Sequence, residues 1–172
     1  QMAIRHPDKV LTMTSIMSGT RNPDVPRHVP PIGPEMRARL DDRETYLSTY
    51  TRWEQAIAGK YPRSARNLRA RAAAQWERGV CAAPQTAERK ARHSAAIAAT
   101  PSWKKELAGV KAPSLIIHGD ADPLVPVEAG YDTAASIPGA KILIIEGWGH
   151  GYPAPVLWPR LIKAIAKHTQ RM

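Results

Sequence analysis

The chain has no phenylalanine, one cysteine (Cys81) and no apolar run that approaches the length needed to span a bilayer. A lone cysteine excludes an internal disulfide framework and a cysteine-built zinc site. The sequence opens on Gln1, without the charged-then-apolar pattern that directs secretion. Nothing in these absences calls for a metal, a cofactor or a membrane. They predict a soluble, cytoplasmic chain of 172 residues, a length suited to one domain or part of one.

Acidic residues are also scarce, and the formal net charge is +10. Most of the excess lies between Glu35 and Glu106, where Arg63, Arg66, Arg69 and Arg71 are interleaved with alanine at helical spacing. Such a balance suits a nucleic-acid surface. No nucleic-acid-binding signature accompanies it, so these arginines are read as a solvated helix face and no nucleic-acid partner is expected.

The most informative stretch covers residues 113–126, Pro-Ser-Leu-Ile-Ile-His-Gly-Asp-Ala-Asp-Pro-Leu-Val-Pro. Leu115-Ile116-Ile117 is a short β-branched run between breakers, which reads as a buried strand. Gly119 permits a turn, and Asp122-Pro123 sets an extended dipeptide before a helix that begins near Pro126. That helix carries Glu128 in its first turn and stops at Pro138-Gly139. A second apolar strand, residues 141–146, then runs into Gly147-Trp148-Gly149-His150-Gly151. A strand–helix–strand unit with a right-handed crossover makes the strands parallel, so both loops emerge at one sheet edge. Open α/β sheets hold their ligands at that edge. Asp122 and His150 are thereby expected to approach each other, the carboxylate orienting one ring nitrogen while the other serves as a base.

Earlier in the chain, residues 1–5 read as a helix tail closed by His6-Pro7, and residues 10–17 as a strand. The proline-rich residues 21–34 form a loop. Residues 36–40, 46–57, 64–78 and 86–99 read as helices with no strand signal between them. Tyr46, Tyr50, Trp53 and Ile57 fall near one face of the second, and Leu68, Ala72 and Trp76 repeat along the third; Trp53 and Trp76 are expected to be core residues of this helical region. A closing helix at about residues 156–168 should pack on the sheet through Leu157, Leu161, Ile162 and Ile165.

The pattern His-Gly-Asp-Ala-Asp-Pro-Leu-Val-Pro followed by Ile-Glu-Gly-Trp-Gly-His resembles the C-terminal half of an α/β-hydrolase, in the style of bacterial esterases of the aclacinomycin methylesterase type. The resemblance implies an α/β fold with about three parallel strands and an inserted all-helical cap. Residues 1–30 and 107–172 would form the hydrolase core and residues 31–106 the cap. It also implies catalytic roles for Asp122 and His150, as acid and histidine of a triad acting on a small-molecule ester, with no cofactor. In the family the nucleophile lies in Gly-x-Ser-x-Gly. The chain lacks that motif, because Gly147 and Gly151 enclose Gly149. The serine would lie a few residues before Gln1, so the chain is expected to be a C-terminal piece, inactive and poorly soluble by itself. The oligomeric state is not readable.

Rival assignments rest on the same residues. Ser18 follows a strand but lacks the glycine-framed turn, Ser15 reads as strand filling, and Cys81 as a small apolar residue. Asp120 competes for the acid role, although Asp122, before Pro123, matches the family pattern better. His118, Asp120 and Asp122 together offer donors for a metal-dependent hydrolase, without a second ligand cluster elsewhere. A non-catalytic ligand-binding protein on the same scaffold, a dehalogenase with an aspartate nucleophile and a C–C hydrolase share this half of the pattern.

Overall fold

Six consecutive buried residues, Ser114–Gly119, form β2, the central strand of a three-stranded sheet. The computed structural model describes residues 1–26, 42–79 and 85–170. The expected helix at residues 36–40, the loop beyond residue 26, and Cys81 lie outside them. Strand β1 (Met13–Ile16) and strand β3 (Lys141–Ile145) flank β2, and both pair with it in parallel. Thr14 lies opposite Leu115, and Ile117 opposite Leu143.

Parallel strands covered on both faces are apolar throughout, and β2 shows why. Leu115 and Ile117 point to one face, where they pack with Met17, Ile145, Trp148, Leu157 and Leu161. Ile116 points to the other, among Ala3, Leu107, Val110, Ala112 and Ile137. The two-residue period of a strand divides the core into these halves. Helix α6 (Trp158–Thr169) covers the first through Leu161, Ala164 and Ile165. The second is covered by α1 (Met2–Arg5), the 3-10 turn Glu106–Gly109 and α5 (Val127–Ser136), the crossover helix between β2 and β3.

The chain divides into two compact units, one of Gln1–Pro30, Ile57–Tyr61 and Ser102–Met172, the other of Pro31–Ala56 and Pro62–Pro101. The sheet belongs to the first. The second holds helices α2 (Arg43–Ala56), α3 (Ala65–Glu77) and α4 (Gln85–Ala99). Helices α2 and α3 pack around Tyr46, Leu47 and Ala72, with Tyr50 and Trp76 against them. Asp42 accepts from Thr45 N at the start of α2, and Ser64 caps α3 through Asn67 N. Among the described residues no helix is long and apolar enough to cross a membrane.

Several local expectations change. Strand β1 is shorter than residues 10–17, because a 3-10 turn at Pro7–Lys9 delays it and Met17 turns out of extended geometry at φ 49°. Ile57 lies beyond the end of α2 and is buried in the sheet-bearing unit. Trp53 stays outside the cluster that Trp76 joins. Arg63 is not solvated, since it is buried in an ion pair with Glu54. Ile162 is 64% exposed and, with Ile16, Tyr152 and Trp158, lines an open apolar groove of about 460 Å³. Helical spacing puts Ile162 beside the apolar stripe but one step around from the residues that meet β2.

Asp132 on α5 gathers two distant pieces of chain. It accepts hydrogen bonds from Thr20 Oγ1, from Asn22 Nδ2 at 3.0 Å and from Lys104 Nζ at 2.5 Å. Thr20 O in turn accepts from Trp103 N and from Ser102 Oγ, both at 3.1 Å. Residues 20–22 and 102–104 are thereby clamped together. Burial pushes the Asp132 carboxyl up, but Lys104, Thr20 and Asn22 outweigh it and hold it below the ordinary aspartate value. Its contribution to stability is therefore complete above the ordinary aspartate pKa and lost as pH falls through the lowered one. Asp132→Ala is expected to lower stability by about 1–3 kcal/mol at neutral pH. The gap from the parent chain should close in acid, as urea unfolding midpoints across a pH series would show. In the core, Ile117→Ala is expected to cost about 2–5 kcal/mol by the same measurement.

Candidate active site

β2 ends at Gly119, a position where no side chain fits: a methyl group there would fall 1.9 Å from Trp148 O. The chain turns at once, and Asp122 enters a pocket where it is 4% exposed. Pro123 has no N–H, so the next amides reach back instead. Leu124 N and Val125 N donate to Asp122 Oδ1 at 2.8 and 2.9 Å, an aspartate turn that sets the carboxyl plane. Oδ2 is directed to His150, whose Nδ1 lies 2.7 Å away.

His150 reaches that position on a glycine-framed loop after β3. Gly147 takes a φ of 71°, and a methyl group on Gly149 would fall 1.9 Å from Ile57 O. The loop is sewn down on both sides. Gly149 N donates to Ala58 O at 3.2 Å and His150 N to Ile57 O at 2.7 Å, while Lys60 N donates to Gly147 O at 2.7 Å. Gly147 N donates to Asp120 Oδ1 at 2.5 Å, and Ala121 N to Trp148 O at 3.3 Å. Gly151 N points to Met17 Sδ at 3.2 Å.

The two side chains differ in exposure: the Asp122 side chain is fully buried and that of His150 is 27% exposed. A carboxylate accepts, so the proton on the His150 ring sits at Nδ1 when the imidazole is neutral, and Nε2 is then the basic nitrogen. Burial pushes the Asp122 carboxyl up. The hydrogen bonds from His150, Val125 and Leu124 outweigh that and hold it below the ordinary aspartate value.

The structure thus brings Asp122 and His150 together, and engages Asp120 elsewhere, on the amide of Gly147. His118 is buried at the end of β2, with Nε2 at 3.0 Å from Val125 O and 3.7 Å from Asp122 Oδ2. Among the described residues no group of three or more His, Cys, Asp or Glu side chains converges as metal ligands. Ser15 lies within β1 opposite Ile116, and Ser18 follows the Met17 turn. The backbone of residues 57–60, which anchors the His150 loop, was not identified from the sequence. Its one signal there is Gly59, at φ 68°, between two apolar residues and Lys60-Tyr61.

Removing His150 takes away one of three donors to Asp122. In His150→Ala the Asp122 carboxyl is expected to titrate at a higher pH than in the parent chain, as read by NMR of the carboxyl carbon. An unchanged midpoint would mean that the contact carries no weight in solution.

The family model for TAP-like proteins matches residues 67–154, about half of the chain. Rhodomycin D methylesterase DauP from Streptomyces sp. (strain C5) is 40% identical over 65 residues, which cover 38% of this chain and 22% of that protein. Non-heme chloroperoxidase CPO-A1 from Kitasatospora aureofaciens is 45% identical over 40 residues, 23% of this chain and 14% of that protein. Among solved structures, the 2-hydroxy-6-oxo-6-phenylhexa-2,4-dienoate hydrolase from Rhodococcus sp. strain RHA1 superposes with a TM-score of 0.66 at 15% identity, over 98% of this chain and 58% of that one. Est816, described as an N-acyl homoserine lactone degrading enzyme, does so at 0.59 and 22% identity, over 99% of this chain and 62% of that one. The chain thus spans less than two thirds of the proteins it matches, and these structural likenesses concern the fold. With the matched segment running from α3 through the His150 loop, the chain belongs to the TAP-like protein family of α/β-hydrolases.

Proposed function

We propose that this chain supplies the acid and the histidine of a serine-dependent carboxylic ester hydrolase. The observation that carries the reading is the 2.7 Å contact of Asp122 Oδ2 with His150 Nδ1, at the carboxyl ends of two adjacent parallel strands. The attacking serine comes from sequence N-terminal to Gln1. Two features support that placement: among the described residues β1 pairs with β2 alone, and the apolar groove beside Ile16 and Trp158 offers a surface for further core structure. The similarity to a methylesterase supports an ester of a small molecule as the substrate.

In this mechanism Nε2 of His150 takes the serine proton as the oxygen attacks the ester carbonyl. The resulting imidazolium is stabilised by the Asp122 carboxylate across Nδ1, and its proton passes to the departing alkoxide. Water, deprotonated by the same nitrogen, then attacks the acyl-serine; the imidazolium returns that proton to the serine oxygen as the acyl bond breaks, releasing the acid and restoring the serine. The depressed pKa of Asp122 keeps it ionised at neutral pH, as that role requires.

The purified chain is expected to hydrolyse p-nitrophenyl acetate no faster than its His150→Ala variant. Expressed with the coding sequence that precedes Gln1, the protein is expected to turn the ester over, and Asp122→Asn to lower kcat by about 10⁴-fold. Turnover by the chain alone that vanishes in His150→Ala would overturn the external nucleophile. Full activity of the longer protein carrying His150→Ala would overturn the site.

A further inference from the structure

His118 is 0% exposed at the end of β2, and the proton transfer proposed above makes no use of it. Its ring packs closely against α5 at Gly130, where a methyl group would fall 2.8 Å from Nδ1 and 3.0 Å from Cγ. Among the described residues Nδ1 has no hydrogen-bond partner. Nε2 lies 3.0 Å from Val125 O, a carbonyl that only accepts, so the ring proton is on Nε2 and is donated there.

An apolar side chain would fill this space without leaving a buried ring nitrogen unpaired, so packing by itself does not account for the imidazole. What it adds is a connection. Val125, whose carbonyl His118 holds, is also the residue whose N–H grips Asp122 Oδ1 at 2.9 Å. The other oxygen of the same carboxylate is the one His150 meets, and Nε2 of His118 stands 3.7 Å from it. That distance is too long for a hydrogen bond, so the link between the two runs through Val125.

We infer that His118 is a positioning residue for the proposed Asp122–His150 pair: by holding Val125 O it fixes the turn at residues 122–125, so that Oδ1 stays with the turn amides and Oδ2 stays aimed at His150. The inference rests on the reading of that pair given above. Glycine at position 130 is part of the device, because any side chain there would push the ring off its acceptor.

The test is proton NMR of the protein expressed with the coding sequence that precedes Gln1, following the low-field Nδ1–H resonance that His150 gives when bonded to a carboxylate. His118→Met keeps the bulk without the donor, Gly130→Ala displaces the ring from the helix side, and His118→Gln restores an N–H near Nε2. The resonance is expected to move upfield or vanish in His118→Met and Gly130→Ala, with circular dichroism unchanged, and to return in His118→Gln. An unmoved resonance in His118→Met and Gly130→Ala overturns the inference. So does loss of fold in both, which would make His118 a packing residue. If one of them fails to fold, the other decides. Asp122→Asn separates the two claims: a resonance that survives it condemns the pairing itself. One lost there but kept in the His118 and Gly130 variants condemns only the role of His118.

Discussion

A carboxylate taken out of water has to be met by donors, and Asp122 is the buried charge around which this half of the fold closes. Desolvation alone would favour its neutral form; three hydrogen bonds reverse that preference. The donors come from separate sources, two from the turn that follows β2 and one from the loop that follows β3. Satisfying the charge therefore requires the two strands to lie side by side, in register and in the same direction. The parallel pairing of His118 with Ile144 and Gly119 with Ile145 meets that requirement.

Close backbone approach makes the geometry possible. Gly119 lets the end of β2 press against Trp148 O, Gly149 lets the His150 loop press against Ile57 O, and Gly130 admits the His118 ring. Each is a place where one carbon atom would separate the partners. The loop needs its anchors for a second reason, because a glycine-rich segment has much conformational freedom to lose. The hydrogen bonds from residues 149 and 150 to Ala58 and Ile57 restrain it, and so hold the imidazole that Asp122 meets.

How far the residues could be read in advance followed the range of the interactions that place them. Leu115-Ile116-Ile117 announces a buried strand, and Pro126 and Pro138-Gly139 bound a helix, because those signals act over a few residues. The pairing of Asp122 with His150 was legible one level up, since a right-handed crossover leaves little choice about where the two loops emerge. The anchoring of the His150 loop by Ile57 and Ala58 was not, because it joins backbone atoms far apart in the chain and uses no side-chain chemistry. Arg63 was misread for a related reason: its spacing matches that of exposed arginines, and only its contact with Glu54 removes it from solvent. Ile162 failed in the opposite direction, since helical period identifies an apolar stripe but not which of its residues find the sheet.

By itself, then, the order of residues determined the strands, the crossover helix, the apolar faces of β2 and the two loops that carry a carboxylate and an imidazole. Those follow from backbone preference and the period of burial, which are local. Tertiary structure decided which oxygen of Asp122 meets the imidazole, and that His118 and the segment Ile57–Tyr61 stand behind them. A hydrogen bond depends on tenths of an ångström between groups on different elements, and that distance exists only once both strands, the crossover helix and the returning segment have packed together.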